Sequence, residues 1–158
     1  MIGQSQLLLI SLFLVGLTSC SKGLIYEKYL EIDQKSWEYE NPVTFEVEVE
    51  KPEDSYDLYV NLRHSNDYPY SNLWLMLYTL PPEGQPTQQR LELKLARPDG
   101  SWIGNSLGGT ITHEIRVRSN MELPAAGTYT YTIQHDMRMN QVPAVSHVGI
   151  RLSKADDQ

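Results

Sequence analysis

The sequence holds one cysteine, Cys20, and its setting gives that residue a defined chemistry. It closes the segment Leu17-Thr18-Ser19-Cys20, behind an apolar run from Leu7 to Gly16. An apolar stretch ending in Leu-x-Ser-Cys is a bacterial lipobox: a signal peptidase cuts before the cysteine, and its sulfur takes a diacylglycerol in thioether linkage. An ordinary secretory signal ends instead in an Ala-x-Ala-like site. A spanning helix needs about 20 apolar residues, more than this broken run supplies. Residues 1–6 carry no Lys or Arg, so the amino group of Met1 is the segment's only positive charge. The expectation is a cleaved signal peptide over residues 1–19, a lipid on Cys20 and a short tether over 20–23. With one thiol the chain closes no internal disulfide.

Other residue types that do chemistry lack the spacing for it. The histidines His64, His113, His135 and His147 form no HxxxH or HExxH pattern, and no second cysteine offers zinc spacing. Gly104-Asn105-Ser106-Leu107-Gly108 has the spacing of a nucleophile elbow but no strand-turn-helix around it, and no phosphate loop follows. Glu46, Glu48 and Glu50 share one face of a strand, which reads as a solvated edge rather than a glycosidase pair. No enzyme, metal or cofactor is expected.

What remains is suited to recognition. The segment from Arg63 to Trp74, Arg-His-Ser-Asn-Asp-Tyr-Pro-Tyr-Ser-Asn-Leu-Trp, crowds a cation, amides and three aromatics into one connection. Arg and loop aromatics are what interface hot spots use. Arg63, Tyr68, Tyr70, Asn72 and Trp74 are therefore the candidate partner contacts; the competing reading packs Tyr68-Pro69-Tyr70 over the end of the fold and pairs Arg63 with Asp67. Trp102 reads as a core plug, Trp37 as core or surface, and Met137-Arg138-Met139 as core filling or an adaptable surface.

Strands must position these residues, because the chain's dominant period is two. Val43, Phe45, Val47 and Val49 alternate with Thr44, Glu46 and Glu48. The same alternation runs through Leu58–Leu62, Leu91–Leu95, Ile111–Val117, Tyr129–Ile133 and Val148–Leu152. Leu73 to Tyr78 is apolar on both faces and reads as a central strand, while Leu24 to Ile32 reads as a strand or a helical turn. Turn residues separate the runs, as in Lys51-Pro52-Glu53-Asp54, Pro81-Pro82-Glu83-Gly84 and Pro98-Asp99-Gly100. Seven or eight such strands predict a single antiparallel β-sandwich over residues 24–158, jelly-roll or immunoglobulin-like, with strand order undetermined. The formal charge of -7 argues against nucleic acid and against broad electrostatic adhesion to anionic lipid. The membrane would be held through the lipid on Cys20.

Taken in order, the lipobox cysteine, Ser36-Trp37, Tyr56-Asp57-Leu58-Tyr59, Leu62-Arg63 with Tyr68-Pro69-Tyr70-Ser71-Asn72-Leu73-Trp74, Asp99-Gly100-Ser101-Trp102-Ile103-Gly104, Gly127-Thr128-Tyr129 and Val148-Gly149-Ile150-Arg151 resemble the gliding-motility lipoprotein family GldH of Bacteroidota. The resemblance covers essentially the whole chain. It implies a non-enzymatic envelope lipoprotein associated with gliding and with the type IX secretion system, with protein partners in that machinery. It carries over Cys20 as the lipidation site and no catalytic residue. Ser21 after the cysteine fits the outer membrane, and the absence of an acidic run in Lys22-Gly23-Leu24-Ile25 fits a periplasm-facing anchor. The alternative is a lipid-anchored glycan-binding module, since sandwiches bind sugars on aromatic platforms and the chain holds 10 Tyr and 3 Trp.

Overall fold

A computed structural model describes residues 23–155; Cys20, the expected signal peptide and most of the expected tether lie outside them. The expected alternation becomes strands β1 (Leu24–Glu31), β3 (Val43–Val49), β4 (Ser55–Ser65), β5 (Asn72–Leu80), β6 (Thr87–Lys94), β8 (Thr110–Glu122), β9 (Gly127–His135) and β11 (Val145–Lys154). Three short strands, β2 (Ser36–Glu38), β7 (Asn105–Leu107) and β10 (Gln141–Pro143), complete the set. The segment from Leu24 is a strand, not a helical turn.

The sheets are antiparallel. One has the order β1-β11-β4-β8-β7, the other β3-β9-β5-β6, and β10 pairs β2 as a separate ribbon. The main pairs nest in sequence: β5 with β6, then β4 with β8, β3 with β9, and β1 with β11. A single long hairpin wound across two layers gives this nesting, and it is the order of a jelly roll. The choice left open by the strand pattern is thereby resolved.

Alternation builds the core. In β3 the valines and Phe45 are buried while Thr44, Glu46 and Glu48 are exposed. Leu58, Val60 and Leu62 of β4 face Leu73, Leu75 and Leu77 of β5 across the layers, all within one buried cluster. Each such side chain contributes roughly 1.5–3 kcal/mol on burial. Tyr129 is buried beside the β8–β9 turn, and its hydroxyl donates to the Ala125 carbonyl at 2.9 Å, fastening that corner.

The strands give the molecule two ends. Gly23, the 50–55 turn and the β8–β9 turn lie at one, where Lys154 donates to the Gly23 carbonyl and pairs with Asp54. The segments 32–42, 66–71, 95–104 and 136–144 gather at the other. Gly23 thus lies at the end away from the aromatic connections, about 25 Å off along an eight-residue strand.

Candidate functional site

The 63–74 segment does not form one surface. Its residues go to three places, and the reason is the alternation of β4 and β5.

His64 continues the inward phase of Leu58, Val60 and Leu62, and His113 the inward phase of Ile111 on β8. Both imidazoles are buried, with Nε2 atoms 2.9 Å apart and rings stacked at 5.0 Å. His64 Nδ1 lies 2.8 Å from the Ser65 carbonyl, which can only accept. Nδ1 therefore carries the proton, and His64 Nε2 accepts from His113 Nε2–H. A second proton would set N–H against N–H. Burial pushes the His64 pKa down, partly offset by the Ser65 carbonyl; burial and then the neighbouring His64 push His113 down to about 4. The pair is neutral at pH 7.

Aromatics close over it. Trp102 meets His64 edge-on at 4.5 Å, Tyr68 lies 4.9 Å from it, and Tyr70 sets its ring against Tyr68 at 5.6 Å. Tyr68 is only 3% exposed and its hydroxyl donates to the Asn72 carbonyl at 2.9 Å. Tyr70 is half-buried against the core with its hydroxyl on Met139 Sδ. The expectation that Tyr68 offers itself to a partner is thus corrected: its ring caps the end of the sandwich, because the loop turns inward over two small-volume imidazoles. Gly104 is required there, since a Cβ would sit 2.5 Å from the Thr112 carbonyl and 2.9 Å from the His113 ring. Trp102 plugs this end and donates from Nε1 to Asn66 at 3.2 Å. Trp37 is wholly buried beneath the β2–β10 ribbon, its Nε1 donating to the Asn41 carbonyl and His135 edge-on at 5.4 Å.

Arg63 has the opposite phase and stands on the solvent side of the five-stranded sheet. Its guanidinium lies 4.2 Å over the Tyr29 ring rather than on Asp67, which bonds Ser65 instead. Tyr29 in turn packs on Gly149, where a Cβ would come within 3.0 Å of the ring. Arg151 bonds Glu114 and lies 5.2 Å over Tyr59, and Asn61 donates to Glu27 at 3.0 Å. Burial would push the Asp57 carboxyl up, yet the Asn120 N–H and the Arg116 guanidinium outweigh it and hold the carboxyl below the usual range. Most charged groups on this face are paired or stacked within it, although Arg151 Nε and Asn61 Oδ1 are buried without a partner.

Asn72 and Trp74 face solvent on the four-stranded sheet. Asn72 donates to Glu92 at 2.6 Å, and Arg90, paired with Asp136, lies 4.1 Å over the Trp74 ring. Among the described residues, no three His, Cys, Asp or Glu side chains converge as metal ligands. Sequence reasoning missed the histidine pair, though its signal was present: both residues interrupt an otherwise apolar inward phase.

The fold and its internal contacts define an antiparallel β-sandwich built around an aromatic and imidazole plug. The comparisons say which sandwich. A model of the GldH lipoprotein family matches residues 24–152. A gliding motility lipoprotein GldH homolog of Christiangramia forsetii is 31% identical over 147 residues, spanning 89% of this chain and 90% of its own. The gliding motility lipoprotein GldH of Flavobacterium johnsoniae is 31% identical over 162 aligned residues, spanning 98% and 99%. The chain belongs to the GldH lipoprotein family. Among solved structures, a carbohydrate-binding module specific for non-crystalline cellulose superimposes with a TM-score of 0.43 at 9% identity, over 81% of this chain and 70% of its own. A Yersinia pseudotuberculosis-derived mitogen gives 0.33 at 9% identity, over 84% and 89%. Neither likeness bears on function.

Proposed function

We infer that this chain is a lipid-anchored, non-enzymatic component of the gliding motility machinery, acting in its assembly or in the type IX secretion system coupled to it. The observation that carries the reading is the match across residues 24–152 together with two relatives named gliding motility lipoproteins over almost their full length. The lipobox supports cleavage before Cys20, a lipid on that residue and a tether over 20–23, while Ser21 and the absence of an acidic run in Lys22-Gly23-Leu24-Ile25 favour an outer-membrane anchor facing the periplasm. The buried, neutral histidine pair and the self-paired outer face of the five-stranded sheet support a structural role over a catalytic one.

The glycan-binding alternative has weaker support. Trp37 is buried, Trp102 is packed edge-on to His64, and the Trp74 ring lies under the Arg90 guanidinium. Deleting the chain in its own host tests the main reading. The expected result is loss of surface spreading or, in a host that does not spread, loss of export of type IX cargo. Unchanged spreading and unchanged export would overturn it.

A further inference from the structure

The solvent faces of the two sheets differ in kind. That of the five-stranded sheet is covered largely by stacked and paired polar groups; that of the four-stranded sheet carries some as well, Arg90 over Trp74, Asn72 on Glu92 and Thr44 on Thr132, but it also presents an apolar row along β5. β5 sends Leu73, Leu75, Leu77 and Thr79 inward, so Trp74, Met76, Tyr78 and Leu80 point out. The first three are half-buried among their sheet neighbours, Leu80 is 50% exposed, and none of the four packs against the core. At about 6.8 Å per two residues they form a ridge roughly 20 Å long. The solvated face of an antiparallel sheet is ordinarily polar, and a contiguous apolar strip on it marks an interaction site. Beside its lower end is a depression of about 250 Å³ lined by Tyr78, Leu80, Pro86, Thr130 and Thr132, among others.

We propose that this ridge is the docking face for a protein partner that presents an apolar strip with Lys or Arg along one flank; the proposal rests on the machinery reading above. Charge fixes the flank. Thr132 and Thr44 continue the Tyr78 row across β9 and β3, and Thr130 and Glu46 continue the Leu80 row. Glu46 and Glu48, exposed on β3, have no cationic partner among the described residues, though Glu48 accepts from the Thr128 hydroxyl at 2.7 Å. On the other flank Arg90 is already paired with Asp136 and Glu92 accepts from Asn72. A second copy of the chain would bring the same glutamates and a charge of -7 against this face. A sugar would need an open ring face, which Trp74 does not offer under Arg90, and gains little from Met76 and Leu80. Thioether and aliphatic side chains suit an apolar protein surface.

Photo-crosslinking tests this on the full lipidated chain in its native cells, with p-benzoylphenylalanine at Met76 or Tyr78 and, on the opposite sheet, at Tyr59. The expected result is one discrete protein adduct from positions 76 and 78 that position 59 does not give. With the probe at 78, Met76→Glu should cut that adduct about tenfold, and Glu46→Lys with Glu48→Lys should cut it at least about threefold, with the strand signal in circular dichroism unchanged. Should Met76→Glu misfold, Leu80→Lys with the probe at 76 takes its place. Equal adducts from position 59, an adduct of twice the chain's mass, a glycan ladder, or an adduct indifferent to the charge reversals would overturn the proposal. If deletion abolishes spreading or export while 76 and 78 crosslink nothing, the face is wrong and the machinery reading stands. If deletion changes neither, that reading fails and this proposal falls with it.

Discussion

The imidazole pair sets the molecule's response to acid. His64 and His113 are held neutral in the fold, His113 down to about 4, whereas an unfolded histidine titrates near 6.5. Below that value the unfolded chain binds protons that the folded chain refuses, so stability is intact above about pH 6.5 and falls as pH drops toward about 4. The loss expected by the bottom of that window is on the order of 3 kcal/mol from His113 alone, read as a shift in urea midpoint. His113→Phe should flatten the dependence, even though it lowers stability at pH 7.5 by leaving His64 Nε2 without its donor. A midpoint indifferent to pH in the unsubstituted protein would contradict the assignment. Gly104 is the second residue on which this end turns. Gly104→Ala should cost about 1–3 kcal/mol by overpacking, because the nearest atom is the Thr112 backbone carbonyl and cannot swing aside. Thermal unfolding of the variant measures it.

At the scale of elements, period two was legible wherever one face is buried and the other wet. β3 runs Val43 to Val49 as its pattern requires, and β9 and β11 follow theirs. The three-residue strands β2, β7 and β10 were not legible, since no alternation develops in so short a run. Nor was strand order, which depends on pairings such as β1 with β11 across the whole chain. Leu73 to Tyr78 was rightly read as an interior strand, but its second apolar face meets solvent rather than another layer. The 63–74 segment misled for a related reason. Its residues are adjacent in sequence, yet the strand phase sends Arg63 and His64 to opposite faces, and Tyr68 folds back onto the second. One local fastening carries its own prediction. Tyr129 is buried, and its hydroxyl ties the β8–β9 corner to the Ala125 carbonyl. Tyr129→Phe should lower unfolding stability by about 1–2 kcal/mol with the fold unchanged; a loss below about 0.3 kcal/mol would show that the corner holds without it.

The whole molecule has a direction. Gly23, bonded to Lys154, lies at one end, and the loops carrying Trp37, Tyr68, Tyr70 and Trp102 lie at the far end of the strands. A lipid on Cys20 would place that end away from the membrane and leave the β5 ridge running between the two. Cys20→Ser should move the chain from the detergent-soluble membrane fraction to the aqueous one without altering its circular dichroism; retention in the membrane would refute the anchor. The lipidation of Cys20 rests on its lipobox alone, outside the described residues, whereas the proposed partner surface had no signal in the sequence, because a sequence gives the residues of a face but not which face remains uncovered.

The central claim is that this member of the GldH family works by holding other proteins of the motility and secretion machinery. The most direct measurement is a crosslinked purification of the tagged, lipidated chain from native membranes, read by mass spectrometry. The account predicts recovery of gliding or type IX secretion components well above a control that uses an unrelated lipoprotein. Well-folded, membrane-bound protein that recovers none of them would contradict it.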